Sequence, residues 1–347
     1  LRMAGLGAGG VGRQAGGAAS AAVRGVGAVL NGCSGQPVAT LKSGGVGTRE
    51  LRRLAKATRE SDRDIRLWLE LAHAAGLLAV GETAVTPTAA YDRWLALEPA
   101  DRLVALLAEW QPIPSAVLYA APGRPPAPAL TAPATDGVLA ADLRRGLLSA
   151  VSALPPGGAA PPVQLGVWVC WDRWLLATNL TDAAGLAAAL LIEAELLGLA
   201  YGGAGTELAR ALAGGDRPRL VAAAHRLLPP AESTAHFQAD LTAVVTGAPA
   251  AALGAVLDLA AHREGRGAAS TWRFSPSSVR AALDSGVPAG ELLDTLRSLA
   301  VRGTLPQPLE YLISDVARRH GSVRVRDVGC CLHGQDPALL AEIAHCR

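Results

Sequence analysis

The chain of 347 residues is organised around one stretch near its end, Leu305-Pro306-Gln307-Pro308-Leu309-Glu310-Tyr311-Leu312-Ile313. Because Pro306 and Pro308 hold the backbone extended, this stretch predicts a helix that begins near Leu309. Apolar residues then recur at helical spacing and predict one buried stripe: Leu309, Leu312, Ile313 and Val316. After Gly321, Val323 and Val325 alternate with arginines, which predicts a half-buried strand and a hairpin. Asp336-Pro337 predicts the start of a last helix that is still running at Arg347, so we expect the chain to be cut within an element.

A longer pattern surrounds this stretch. It includes Phe274-Ser275-Pro276-Ser277-Ser278, Glu291-Leu292-Leu293, Arg319-His320-Gly321-Ser322-Val323 and Asp336-Pro337-Ala338. With these residues, the region 236–347 resembles the N-terminal domain of XPB-type DNA helicases. Most of the chain is similar to actinobacterial helicase-associated proteins, which carry this domain without an obvious motor. The resemblance implies a role in DNA transactions and supplies no catalytic residues.

Charge and cysteine content narrow the class of protein. The formal net charge is only +2, far from the strongly basic balance of a chain that coats nucleic acid, so DNA contacts must come from local patches. Five dispersed cysteines without a C-x-x-C pair are typical of a reducing cytosol. The most apolar run, residues 243–261, is interrupted by Gly, Pro and Asp. We therefore expect a cytoplasmic or nucleoid-associated protein with no membrane partner.

The order of elements in the first part predicts a winged-helix-like unit. A strand over 38–42, helices that begin at Thr48 and Ser61, and a hairpin over 77–86 follow one another. A helix, a glycine stop and a hairpin recur around Gly198. Between the two copies, the Pro-rich run 112–133 predicts an extended linker.

The predicted fold class is mainly α (α+β), with tandem winged-helix-like units and an XPB-N-like C-terminal domain. The predicted segments are a flexible Gly-rich leader, two winged-helix-like domains separated by a linker, and the truncated last domain, over residues 1–16, 17–112, 113–137, 138–235 and 236–347. Within them, we expect a small-residue helix over 17–30, a single strand over 237–245 and a helix over 249–263. Gly5-x-Gly7-x-x-Gly10 matches the dinucleotide pattern, but no strand precedes it within the chain, which favours the flexible leader.

A search for catalytic motifs finds none. The sequence contains no G-x-x-x-x-G-K-[ST] phosphate loop, no H-E-x-x-H pair and no G-x-S-x-G turn. We therefore predict no catalytic, cofactor-binding or metal-binding residues and no enzyme activity, unless a helicase motor lies outside this fragment.

Basic residues gather in two places. Arg49, Arg52, Arg53 and Lys56 recur at i, i+3, i+4 and i+7, which predicts a continuous basic helix face suited to DNA phosphates. The full set of predicted DNA-binding residues is Arg49, Arg52, Arg53, Lys56, Arg63, Arg66, Arg319, Arg324 and Arg326. The alternative is a solvated surface, with pairs to Glu50 and Glu60 in the first group and to Asp315 in the second.

The combined pattern predicts a non-catalytic, DNA-associated module. It would bind the DNA backbone or position a helicase, nuclease or repair partner on DNA. The alternative is a protein–protein adaptor that uses its winged helices without DNA contact, since winged helices serve both purposes. A transcriptional regulator is a third interpretation, and it would require a sequence preference.

Overall fold

The computed structural model describes residues 4–5, 8–123, 126–131, 137–172, 182–266 and 269–320. These residues form a mainly helical protein with small antiparallel sheets, as the sequence predicts. The helices up to residue 227 are α1 (Ala8–Gly35), α2 (Thr48–Thr58), α3 (Asp62–Ala74), α4 (Ala90–Leu95), α5 (Pro99–Trp110), α6 (Gly137–Ala153), α7 (Pro162–Asp172), α8 (Ala183–Leu196), α9 (Glu207–Ala213) and α10 (Arg217–Leu227). The later helices are α11 (Ala251–Ala260), α12 (Pro276–Asp284), α13 (Ala289–Ser298) and α14 (Gln307–Arg319).

Four small antiparallel sheets accompany the helices in the described part of the chain. Their strands are β1 (Ala4–Gly5), β2 (Val38–Ala39), β3 (Leu78–Val80), β4 (Ala84–Pro87), β5 (Gly158–Ala159), β6 (Ala200–Tyr201), β7 (Ala204–Gly205), β8 (His236–Phe237), β9 (Thr242–Thr246), β10 (His262–Arg266) and β11 (Ala269–Arg273). The sheet orders are β1-β5, β2-β4-β3, β6-β7 and β10-β11-β9-β8.

Helix α1 is the centre of the larger hydrophobic core. It begins at Ala8, and Val11 and Ala15 are buried, so the prediction of a flexible leader is wrong for residues 8–16. Its small residues allow neighbours to approach the helix axis closely. A Cβ atom on Gly16 would lie 2.6 Å from the Leu227 carbonyl oxygen, and one on Gly25 would lie 2.5 Å from Trp68 Nε1. The glycines that weaken this helix in isolation are therefore needed for its packing.

The predicted order of strand, two helices and hairpin is observed in residues 38–87. Strand β4 lies between β2 and β3 in the sheet. The Ser61 hydroxyl accepts a hydrogen bond from the Asp64 amide at 3.1 Å and caps α3, as the sequence predicts. Gly76 follows α3 with φ +69°, which glycine adopts without steric cost. The inner face of α3 is buried, at Ile65, Trp68, Leu69 and Ala72.

One continuous cluster of buried apolar residues, which we call the first core, runs from Ala19 to Leu228. It takes residues from both predicted winged-helix-like domains. Ile113, Val117 and Leu130, in the Pro-rich segment, are buried in it. The boundaries of these two domains stay a prediction, while their apolar side chains share a common interior.

A second core, from Ala235 to Val316, is built on the four-stranded sheet. The single strand predicted over 237–245 is wrong, because a tight turn at Leu241 (φ +67°) divides it into β8 and β9. Asp240 Oδ1 accepts hydrogen bonds from the Thr242 amide (3.1 Å) and hydroxyl (2.6 Å) and stabilises this turn. The helix predicted over 249–263 ends at Ala260, and β10 follows because residues 262–266 pair with β11.

Helix α14 carries the stretch around which the sequence is organised. It begins at Gln307, with Pro306 as its N-cap and Pro308 in its first turn, close to the predicted start. Leu309, Ile313 and Val316 are buried in the second core, as their spacing predicts. The hairpin and last helix predicted after Gly321 lie outside the described residues.

Candidate nucleic-acid interface

Helix α2 carries an exposed basic face. Leu51, Leu54 and Ala55 are buried in the first core. Arg49, Arg52 and Lys56 are exposed. Their spacing of i, i+3 and i+7 puts these three cations on one side of the helix, as the sequence predicts. We call this set the α2 basic face.

The members of the predicted set differ in what they contact. The Arg52 guanidinium lies 3.6 Å from Asp62 Oδ2, with 74% of the Arg52 side chain exposed. Such an exposed pair contributes little stability and is easily exchanged for another anion. Arg49 and Lys56 form no ion pair with any residue that the structure describes. All three side chains are therefore available to a phosphate.

Arg53 is held against the protein instead. Its Nε donates to Glu50 Oε2 at 2.9 Å, and its Nη1 donates to Gln36 Oε1 at 3.1 Å. This pair with Glu50 is the intrahelical contact that the sequence analysis gives as the alternative to DNA binding. Arg53 is thus half-buried and lies beside the α2 basic face rather than in it.

On α3, Arg66 has an internal partner. Its Nη1 donates to the Ala127 carbonyl oxygen. Burial lowers the pKa of the Arg66 guanidinium, which the Glu70 carboxylate partly offsets. Glu70 Oε1 accepts the Leu130 amide at 2.6 Å, and burial raises the pKa of Glu70. The segment 126–131 therefore lies along α3, and Arg66 holds that segment.

No described contact joins the α2 basic face to Arg63, or to the second group of predicted DNA-binding residues, which begins at Arg319. Arg63 is exposed, with its Nε 3.3 Å from Asp64 Oδ1. Arg319 Nη2 lies 3.2 Å from Asp315 Oδ2, and Arg318 pairs with the same carboxylate. Arg324 and Arg326 lie outside the described residues.

Arg59 follows α2 directly, at i+3 from Lys56 and i+7 from Arg52. It is exposed, and its left-handed conformation (φ +59°) makes it the C-cap of the helix. A positively charged residue at a helix C-terminus is electrostatically favourable. Arg59 therefore adds a further exposed cation at the end of the element that carries the α2 basic face. Its position depends on where the helix stops, which periodicity alone does not give.

The described residues also bear on metal binding and on membrane crossing. The described residues include no cluster of three or more His, Cys, Asp or Glu side chains close enough to share a metal ion. In the same part of the chain, every helix is too short or too polar to cross a bilayer.

The comparison with known families bears on the second core. Residues 236–347 match the family described as the helicase conserved C-terminal domain. No curated protein matches the chain. The matched region includes the four-stranded sheet and helices α11 to α14, and it covers less than half of the chain. The match supports the association with helicases that the sequence resemblance implies, for this region.

Proposed function

We propose that this chain is a helicase-associated module that binds the DNA backbone and has no catalytic activity of its own. In this role it holds a helicase or repair partner on DNA. One observation carries the proposal: Arg49, Arg52 and Lys56 are exposed on one helix face, in a chain whose last region matches a helicase domain.

The dimensions of the α2 basic face support contact with one DNA strand. From residue 49 to residue 56 the helix rises about 10 Å, at about 1.5 Å per residue. One strand of a duplex presents a phosphate about every 3.4 Å along the axis, so the face spans roughly three phosphates. Phosphate contacts position a protein on DNA without reading its sequence.

The fold around α2 also supports contact between this helix and the DNA backbone. Strand β2, helices α2 and α3 and the β3-β4 hairpin follow the order of a winged helix-turn-helix, in which the first helix crosses the backbone. Helix α3, the second helix, is partly covered by residues 126–131 through Arg66 and Glu70. The proposed contact therefore uses α2 and the backbone, with no base reading by the covered side of α3.

For residues 236–347 we also propose the more specific assignment that the sequence resemblance implies. Residues 236–347 would correspond to the N-terminal domain of XPB-type helicases, as in the actinobacterial helicase-associated proteins that the chain resembles. The non-catalytic part of the proposal rests on the sequence, which contains no phosphate-loop motif. A helicase or nuclease partner would then supply the ATP-driven or bond-breaking step.

The test is the salt dependence of binding to a short fluorescent duplex, measured by anisotropy on the full chain. The triple variant Arg49→Ala, Arg52→Ala, Lys56→Ala should weaken binding. It should also make the slope of log K against log salt less negative by about 0.9 for each lost contact. The matched control is Arg93→Ala, Arg217→Ala, Arg219→Ala, which removes the same charge from other exposed positions. Equal slopes for the two triple variants would refute DNA binding by the α2 basic face.

One observation favours the adaptor as a second candidate function. Val163, Val167 and Trp171 recur at i, i+4 and i+8 on α7, and Trp171 is 83% exposed. Exposed apolar side chains in one row are typical of protein contacts. If the wild-type chain shows no salt-dependent binding to duplex DNA, while Trp171→Ala abolishes its association with a helicase, the adaptor is the better account.

A further inference from the structure

A cleft of about 400 Å³ lies between the first core and the second core. Helix α1 and residues 91–102 line it on one side, and residues 248–263 with Ser270 contribute the other. Beside it, Glu98 Oε1 accepts a hydrogen bond from the Ala251 amide at 3.2 Å and connects the two cores. A volume of this size is within the range of small-molecule sites. The α2 basic face contributes none of its residues to this cleft.

Arg263 brings a guanidinium with a buried, unpartnered donor to the cleft. Its guanidinium stacks on Trp272, with 4.5 Å from Cζ to the ring centroid. Its Nε is buried and has no hydrogen-bond partner among the described residues. Burial lowers the pKa of Arg263, with Asp258 and Tyr91 acting in the opposite direction. A buried donor without an acceptor is costly, so this guanidinium is prepared to receive an acceptor from outside the chain.

Arg102 brings a second guanidinium to the same cleft. Its Nε donates to the Leu97 carbonyl oxygen at 2.8 Å, Nη2 donates to the Leu95 carbonyl oxygen, and Cζ lies 5.5 Å from the Trp94 ring centroid. These contacts fix its direction and leave Nη1 without a hydrogen bond to the described residues. Burial lowers the pKa of Arg102, and the charge of Arg263 lowers it further, so the two cations repel each other.

The acidic groups in the cleft do not balance these charges. The described lining residues include Arg24, Arg102 and Arg263 but only one carboxylate, Asp258, and Glu98 beside the cleft adds a second negative charge near Arg102. Asp258 Oδ1 already accepts the Trp272 indole N–H at 2.6 Å. The remaining wall is mixed, with apolar residues such as Leu95 and Pro249 beside polar ones such as Asn31 and His262. The cleft thus combines excess positive charge with apolar surface.

We propose that this cleft binds a small phosphate ester with an apolar or aromatic body, of about the size of a nucleoside monophosphate. Arg263 and Arg102 would hold the phosphate, because the planar guanidinium fork matches phosphate oxygens and a dianion relieves the repulsion between the two cations. The apolar wall would hold the rest of the ligand. Since the cleft draws residues from both cores, the ligand would also hold the two cores together.

Isothermal titration of the full chain with adenosine 5′-monophosphate tests this site. We expect saturable binding, which adenosine without its phosphate should lose by about tenfold or more, since hydrogen bonds to charged groups carry that energy. Arg263→Gln should cause a similar loss, and Arg263→Lys a smaller loss, because lysine keeps the charge without the fork. Arg217→Gln, at an exposed position outside the cleft, is the matched control and should bind as the wild type does.

Four results would overturn the proposal. The first is no saturable binding of the monophosphate by the wild type. The second is equal affinity in Arg263→Gln and Arg217→Gln when both give native circular dichroism spectra. The third is inorganic phosphate binding as tightly as the monophosphate, which would leave the apolar wall without a role. The last is loss of binding in the triple variant of the α2 basic face, which would assign the phosphate to that surface.

Discussion

Replacing Glu193 by Gln removes a negative charge from the interior of the first core. Glu193 is fully buried and accepts hydrogen bonds from Trp110 Nε1 (2.9 Å), the Leu118 amide (3.1 Å) and Arg144 Nη2 (2.8 Å). Arg144 is also fully buried and donates to the carbonyl oxygens of Ile113 and Ser115. The pair itself connects α6 to α8, and its hydrogen bonds connect both helices to α5 and to the start of the Pro-rich segment.

The expected loss of stability comes from the buried Arg144 charge that remains after Glu193 is replaced. Glutamine keeps the shape of the side chain, but the Arg144 guanidinium is left as a buried charge without a counter-charge. Breaking a buried pair in this way costs about 3–5 kcal/mol of the free energy of unfolding. Glu207→Gln is the matched control: its pair with Arg226 is 2.7 Å long, but both side chains are about half exposed. Loss of an exposed pair costs about 0–1 kcal/mol.

The assay is urea unfolding of the full chain, followed by circular dichroism and by tryptophan fluorescence, to which Trp110 contributes from within the network. We expect Glu193→Gln to lower the midpoint of the first core far more than Glu207→Gln does. Residues 17–112 and 138–228 should also unfold in one transition, because the Trp110–Glu193 hydrogen bond and the first core connect them. Equal midpoints for the two variants would refute the energetic argument, and separate transitions would refute the shared core.

Two further predictions follow from helix α1. Gly25→Ala should lower the free energy of unfolding by about 1–3 kcal/mol in urea titrations, because its Cβ would meet the Trp68 ring at 2.5–2.9 Å. Gly17→Ala, which meets no atom within 4 Å, should raise it by about 0.5–1 kcal/mol, and the same sign for both would contradict the packing argument. Burial raises the pKa of the Cys33 thiol from 9.0 to about 11. The unfolded thiol therefore loses its proton first, so the stabilisation from burying neutral Cys33 should be lost as pH rises from about 9 to about 11, compared with Cys33→Ala. A Cys33 that reacts with a thiol reagent at pH 8 as fast as an unfolded thiol would contradict its burial.

Local signals in the sequence predicted many elements well. The helices predicted to begin at Thr48 and Ser61 are observed as α2 and α3, and Ser61 and Ser275 cap their helices through hydrogen bonds to backbone amides three residues on. These features depend on residues within one turn of each other. The α2 basic face is predictable for the same reason, because helical spacing alone puts its side chains on one side.

Features that depend on contacts between distant residues were not predictable. Helix α1 is low in large apolar residues, and its central place follows from Trp68 and Leu227, which approach its glycines from elsewhere in the chain. The internal contact of Arg66 depends on Ala127, 61 residues away, which no spacing rule connects to it. The cleft with Arg102 and Arg263 is likewise assembled from several separate stretches.

The sequence by itself determined the fold class, the starts of α2 and α3, the basic face of α2 and the lack of catalytic motifs, because each depends on neighbouring residues. Tertiary structure alone decided which arginines stay exposed, that the predicted winged-helix-like domains share a core, and where two half-buried cations face one cleft. The physical reason is that burial and charge pairing depend on which distant segments pack together, and the energy of a charge changes more with its surroundings than with its position in the chain.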